Sequence, residues 1–294
     1  MNFNASLLLP LGCALVYVLG ALAVKRATAF GVGIWRTSFL SNVAMAALFV
    51  PVWFWAGGTV HPLADYAQPA VTALLFFGGQ AFTFLALGSG DVSVTTPVMG
   101  TKVILVALFS SLLRVGEVPL RWWIGAALST AAIALLHLGG AAHRRHVGRT
   151  VLLAFCSATS FSLGDVLLQK WVHAWGAASY FPPMFVIVAL LSCGLVPFFH
   201  APLTALPGAA WRWVGPGALL LALNNAGVVL AVVLVGSATV VNIIYSVRGL
   251  LSVLLVWLVG HWFTNDEQGL GGRVLRLRFV GATLMVAAIV LVLV

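Results

Sequence analysis

Hydrophobic positions in this chain form continuous stretches of about 20 residues, each stopped by a charge, a proline or a glycine. A helix needs about 20 residues to cross the hydrocarbon of a bilayer, whereas a barrel strand alternates apolar and polar positions over about ten. The pattern therefore predicts membrane-spanning helices, ten of them, at roughly 5–24, 33–55, 69–88, 92–113, 121–139, 149–170, 179–199, 212–235, 238–262 and 278–294. The expected fold class is an all-α integral membrane protein. The longest connections fall near His61–Gln68, His137–Thr150 and Phe263–Leu277, and none has room for a soluble domain. The first stretch lacks a basic leader and is followed by Lys25 and Arg26, so it reads as a span of the mature fold, not a signal peptide.

The stretches also recur. Shifting the chain by 144 places Ala14, Leu19 and Gly20 on Ala158, Leu163 and Gly164, and Gln80 on Asn224. Ser93, Thr95, Val103, Val115 and Gly116 fall on Ser237, Thr239, Val247, Val259 and Gly260. Beyond Gly116 the shift becomes 156, so that Gly125 meets Gly281, with the 12 extra residues in the Phe263–Leu277 loop. A register held across several spans predicts two five-span repeats, 1–142 and 143–294. Five is odd, so the second repeat enters the membrane upside down. Inverted repeats that rock about a shared midplane site are the architecture of secondary transporters.

Composition narrows the function further. The chain is 62% hydrophobic and 7% charged, with mean hydropathy +1.10, where a soluble domain carries about 25% charged residues. Soluble enzymes, nucleic-acid readers and secreted disulfide scaffolds are excluded together. Cys13, Cys156 and Cys193 lie in apolar stretches and read as small buried hydrophobes. The net charge of +9 reports topology more than partners. Ten Lys and Arg fall in loops 1–2, 5–6, 7–8 and 9–10 against three on the other side, which puts both termini outside by the positive-inside rule. Trp35, Trp53, Trp55, Trp122, Trp123, Trp171, Trp175, Trp211, Trp213 and Trp262 lie at span ends and read as interfacial anchors. No Walker loop, His-Glu-x-x-His or nucleophile elbow appears. His143 and His146 flank Arg144-Arg145 in a linker and form no metal spacing, so neither metal nor cofactor is expected.

The passage from Val92 to Leu136 resembles the drug/metabolite transporter superfamily in its EamA branch. Members carry a Pro early in the fourth span, a Gly-Glu at its end and a Gly opening the fifth, where this chain has Pro97, Gly116-Glu117 and Gly125. The second copy departs, with Val241 and Gly260-His261 at the matching places. The resemblance implies ten spans, export or exchange of small metabolites, and a place in a bacterial cytoplasmic (inner) membrane. It also implies cytoplasmic termini, against the charge count. Distant members that carry triose phosphates and nucleotide sugars use basic residues on the fourth and ninth spans for phosphate, the spans on which Lys102 and Arg248 stand.

Ionisable groups at membrane depth need a partner or a function. Here they are Lys102 in span four, Asp165 in span six and Arg248 in span nine. Asn242, Tyr245 and Arg248 recur every third residue as one polar stripe, Thr95, Val98 and Lys102 align on span four beside Thr101, and Gln80 and Asn224 occupy matching depths. Two cations against one carboxylate leave about one positive charge, which suits a carboxylate or phosphate; the alternative is that the cations only balance Asp165. The expected binding set is Lys102, Arg248, Asn242, Tyr245, Gln80, Asn224, Asp165 and Thr101. The expected function is a secondary transporter of a small anionic or zwitterionic metabolite. Alternatives are an amphiphilic or lipid-linked substrate, or a membrane enzyme, for which six acidic residues are too few. Expected partners are the small-molecule substrate and the lipid bilayer, with no nucleic acid; monomer and homodimer are both compatible with the sequence.

Overall fold

The computed structural model describes residues 5–89, 92–137, 147–259 and 272–293. Their regular structure is helical throughout, with no strand among the described residues. Helices α1 (Leu8–Thr28), α2 (Ile34–Trp55) and α3 (Ala67–Ser89) are followed by two short segments, α4 (Val92–Gly100) and α5 (Lys102–Leu112), and by α6 (Leu120–His137). Then come α7 (Val147–Trp175), α8 (Ala177–Ser192), α9 (Gly208–Val235), a second pair of short segments, α10 (Ala238–Tyr245) and α11 (Arg248–Val259), and α12 (Gly272–Leu293). Eight segments are long and apolar enough to cross a membrane, and two shorter apolar helices, Leu120–Leu136 and Ala238–Ser252, fall where the fifth and ninth spans were expected. The protein is a multi-pass membrane protein. Its outer face carries large apolar side chains such as Leu74, Leu152, Leu190 and Leu234, all more than half exposed, as contact with lipid requires.

Two differences from the sequence reading have physical causes. Helices outlast their apolar stretches: α1 continues through Lys25 and Arg26 to Thr28, and α7 includes Arg149 and Lys170. Backbone hydrogen bonding does not stop where hydrocarbon does, and long basic side chains extend to the interface from a helix that carries on. The second difference is that the fourth and ninth spans are broken. Pro97 lacks an N–H and frees a carbonyl one turn upstream. At Thr101 the backbone N–H then bonds the Val98 carbonyl at 3.1 Å, and its hydroxyl donates to the same oxygen at 2.7 Å. In the ninth span the Ser246 hydroxyl donates to the Ile243 carbonyl at 2.6 Å, and Val247 N–H bonds Ile244 at 3.2 Å. Each break is thus a single tightened i→i+3 turn sustained by a hydroxyl back-bond.

The most extensive helix pairs are α1 with α9, α3 with α7, α6 with α12 and α2 with α8. Small residues let these backbones approach, as expected where apolar burial gives helices no preference for one another over lipid. A Cβ on Gly217 would come within 2.9 Å of Val24, and one on Gly227 would collide with the Cys13 sulfur. Cys13 is buried as expected, Cys156 is half-buried, and Cys193 is exposed, because it lies on the outward side of the 3-10 turn Cys193–Phe198 that ends the seventh stretch. Trp175 is no lipid-facing anchor either. It is buried, its Nε1 donates to Gln68 at 2.9 Å, and His61 stacks on it at 4.0 Å. The His61–Gln68 connection holds a 3-10 turn at Leu63–Tyr66. Much of the other two long connections, including His143, Arg144, Arg145, His146, Trp262 and most of the 12-residue insertion, lies outside the described residues.

Candidate functional site

A cavity of about 650 Å³ lies between α1, α3, α4–α5, α6 and α10–α11. The two helix breaks place its charges. Lys102 is the first residue after the break in the fourth span and Arg248 the first after the break in the ninth, and both line the cavity. Their surroundings differ. Lys102 Nζ pairs with Asp165 Oδ2 at 2.9 Å, reaching across to α7. The same carboxylate oxygen accepts from Asn242 Nδ2 at 2.8 Å, and that nitrogen also donates to the Ala238 carbonyl at 2.9 Å. Asp165 thus ties the fourth, sixth and ninth stretches together at one oxygen.

Arg248 has no carboxylate within ion-pairing distance among the described residues. Its guanidinium carbon stands 4.8 Å from the Tyr17 ring centre and 4.6 Å from that of Tyr245, and the two rings meet edge to face. Nη1 donates to the Tyr245 hydroxyl at 3.2 Å, and that oxygen lies 3.0 Å from the Asn224 amide. Ring faces attract the cation and help to orient it without neutralising it. Lys102 has an aromatic neighbour too, Phe161, with Nζ 5.5 Å from its ring centre.

Of the residues expected to bind, Lys102, Arg248, Asn242 and Tyr245 line the cavity together. Asp165 reaches them from the edge of a small adjoining void. Asn224 is buried behind Tyr245. Thr101 turns its hydroxyl back onto Val98. Gln80 is placed elsewhere: it exchanges hydrogen bonds with Asn42 at 2.9 and 3.0 Å and accepts from Ser38 at 3.1 Å, in a network joining α2, α3 and α8. The sequence reading missed Tyr17 and Phe161. They stand 144 positions apart, the offset at which the sequence resembles itself, so the signal was present as an aromatic pair at that offset.

The cavity reaches the surface at the end of α1. Lys25 and Thr28, exposed at the end of α1, stand at its mouth with Leu87 of α3 and Thr96 of α4. Outside the cavity lining, toward the far end of α5, buried Ser110 and Thr239 bring their hydroxyls within 3.3 Å across α5 and α10. Nearby, Gln169 accepts from Ala238 N–H at 2.8 Å and donates to the Gly236 carbonyl at 2.8 Å, fixing the turn at which α10 starts. Gly236 takes the left-handed conformation that this turn needs, φ +73°. Among the described residues no three His, Cys, Asp or Glu side chains come together as a metal site. A surface opening and one unpaired guanidinium beside an internal ion pair make a compartment able to hold a small charged molecule.

Three comparisons bear on this arrangement. The model of the EamA-like transporter family matches residues 4–138. No curated protein matches the sequence. A solved crystal structure, described only as that of a protein, overlays 98% of this chain on 96% of its own with a TM-score of 0.75, at 18% sequence identity; that likeness speaks for the fold alone.

Proposed function

Residues 4–138 belong to the EamA-like transporter family, within the drug/metabolite transporter superfamily, and on that premise we propose that the protein is a secondary transporter of a small organic anion or zwitterion, working by alternating access. The observation that carries this reading is Arg248: a guanidinium without a carboxylate partner among the described residues, on the wall of a cavity that reaches the surface at Lys25 and Thr28. A volume of about 650 Å³ falls within the ~300–1,000 Å³ of small-molecule sites, which favours a small metabolite over a lipid-linked one.

Ten crossings arranged as two inverted repeats account for the helix packing. In such a repeat α1 corresponds to α7 and α3 to α9, so the pair α1–α9 exchanges with α7–α3, while α2–α8 and α6–α12 map onto themselves; these are the four most extensive pairs. The aromatic partners Phe161 and Tyr17 follow the same correspondence, and the breaks before Lys102 and Arg248 follow it to within two residues, since the shift of 144 places Lys102 on Ser246. Repeats 1–142 and 143–294 would each contribute one helix interrupted by a tightened turn within the span, where transporters of this architecture interrupt their helices. The mouth lies at the end carrying the cation-rich loops, so the positive-inside rule makes this an inward-open state in a cytoplasmic membrane, with both termini outside.

The test is the melting temperature of the protein in lipid nanodiscs against a panel of small organic anions, zwitterions, cations and neutral molecules. A ligand that binds only the folded protein stabilises it by about 2.7 kcal/mol at 100 times its Kd. The reading expects upward shifts from anions or zwitterions; shifts confined to cations or neutral molecules overturn it.

A further inference from the structure

We propose that the cavity selects monoanions with an apolar body, a single carboxylate on an unbranched hydrocarbon chain being the simplest case, and that Arg248 rather than Lys102 is the selecting cation. This rests on the transporter reading and narrows it.

The charge count comes first. Lys102 and Asp165 form a pair that is neutral in sum, and the shared oxygen is further held by Asn242. Drawing Lys102 toward a substrate would strand the Asp165 carboxylate at membrane depth, where an unpaired charge is costly. Arg248 remains, always ionised, with one hydrogen bond, to Tyr245, and further N–H donors without a partner among the described residues. The inner part of the cavity therefore offers one net positive charge. One carboxylate satisfies it; a second negative group finds no second free cation beside it.

The wall decides the rest. On α1 the lining residues are Tyr17, Val18, Ala21, Leu22, Val24, Lys25 and Thr28, a single helical face. Between Tyr17, at the level of Arg248, and Lys25, at the surface, all seven intervening residues are apolar, and the eight steps from one to the other span about 12 Å at 1.5 Å per residue. Leu87, Met99, Val103 and Ile133 line the cavity from other helices, together with Thr83, Thr95, Thr96 and Ser252, of which the Thr83 and Ser252 hydroxyls already donate to carbonyls of their own helices. A six-carbon chain is shorter than this sleeve. A carboxylate at its far end would lie against Val18, Ala21 and Leu22, short of Lys25. An apolar end there loses nothing by leaving water, whereas a second carboxylate loses its hydration for no new partner.

The experiment measures binding to the wild-type protein in lipid nanodiscs, with empty nanodiscs as the partition control. The four probes share one six-carbon body: hexanoate, hexanamide, adipate and hexyl phosphate. Hexanoate is expected to bind at least tenfold more tightly than each of the others, and Arg248→Gln to erase its advantage over hexanamide. The wild-type series decides by itself, so the proposal stays testable if the variant fails to fold. Adipate or hexyl phosphate binding as tightly as hexanoate overturns the proposal and leaves the transporter reading standing. Absence of binding by every small organic ion, in this series and in the wider panel, overturns both.

Discussion

Removing Lys102 and removing Arg248 have different consequences, because only Lys102 is joined to a carboxylate. Lys102→Met leaves Asp165 charged at membrane depth with only Asn242 as donor. Breaking a fully buried ion pair in this way costs about 3–5 kcal/mol. Here both side chains keep some exposure toward the cavity, 17% and 14%, so the expected loss is smaller, about 2–3 kcal/mol, comparable to the ~2.5–3.5 kcal/mol insertion cost of a lone charge. Lys102→Met should therefore lower the melting temperature with or without ligand, and adding Asp165→Asn should restore most of it; denaturation of the two single variants and the double variant in nanodiscs checks this. A melting temperature unchanged in Lys102→Met would show that the pair holds nothing together. The sequence placed both cations well inside apolar stretches, and both line the cavity. It could not separate their roles, which depend on which neighbouring helix each side chain faces. Gln80 makes the same point. Its depth was legible, but its partner, Asn42 on α2, is a matter of azimuth around α3, and nothing in a uniformly apolar stretch reports azimuth.

At the scale of elements, the spans were legible because the bilayer fixes their length, and their ends were not, because Lys25, Arg26 and Lys170 are as compatible with a helix as with its boundary. The break in the fourth span had a cue in Pro97. Its counterpart in the ninth had none beyond a serine, since Val241 stands where a second proline was expected and the turn comes only at Ser246. These broken helices meet at the far end of α5, where Ser110 on α5 and Thr239 on α10 touch although 129 positions separate them. If alternating access opens this end, α5 and α10 must part. Ser110→Cys with Thr239→Cys should therefore crosslink on mild oxidation and stop substrate exchange by at least tenfold, with recovery on reduction. Exchange undiminished in the crosslinked protein would mean that these helices do not separate during turnover.

At the scale of the molecule, two readings of the sequence converge on one place. The repeat required an interface between the first and second halves of the chain, and the deep charges required a polar compartment; the cavity lies between α1, α4–α5 and α10–α11, with charge from both halves on its walls. Hidden from the sequence was which cation Asp165 pairs with, because pairing across 63 positions between Lys102 and Asp165 is a tertiary fact. Charge-assisted hydrogen bonds to the Arg248 guanidinium contribute about 1.5–3 kcal/mol each, or roughly 10- to 150-fold at 1.4 kcal/mol per decade. The most direct measurement is counterflow in proteoliposomes, loaded with the anion that gives the largest melting shift and supplied outside with the same anion carrying a label. The account predicts saturable exchange without ATP in the wild-type protein, reduced at least tenfold in folded Arg248→Gln. No exchange of an anion that demonstrably binds, or undiminished exchange in folded Arg248→Gln, would contradict it.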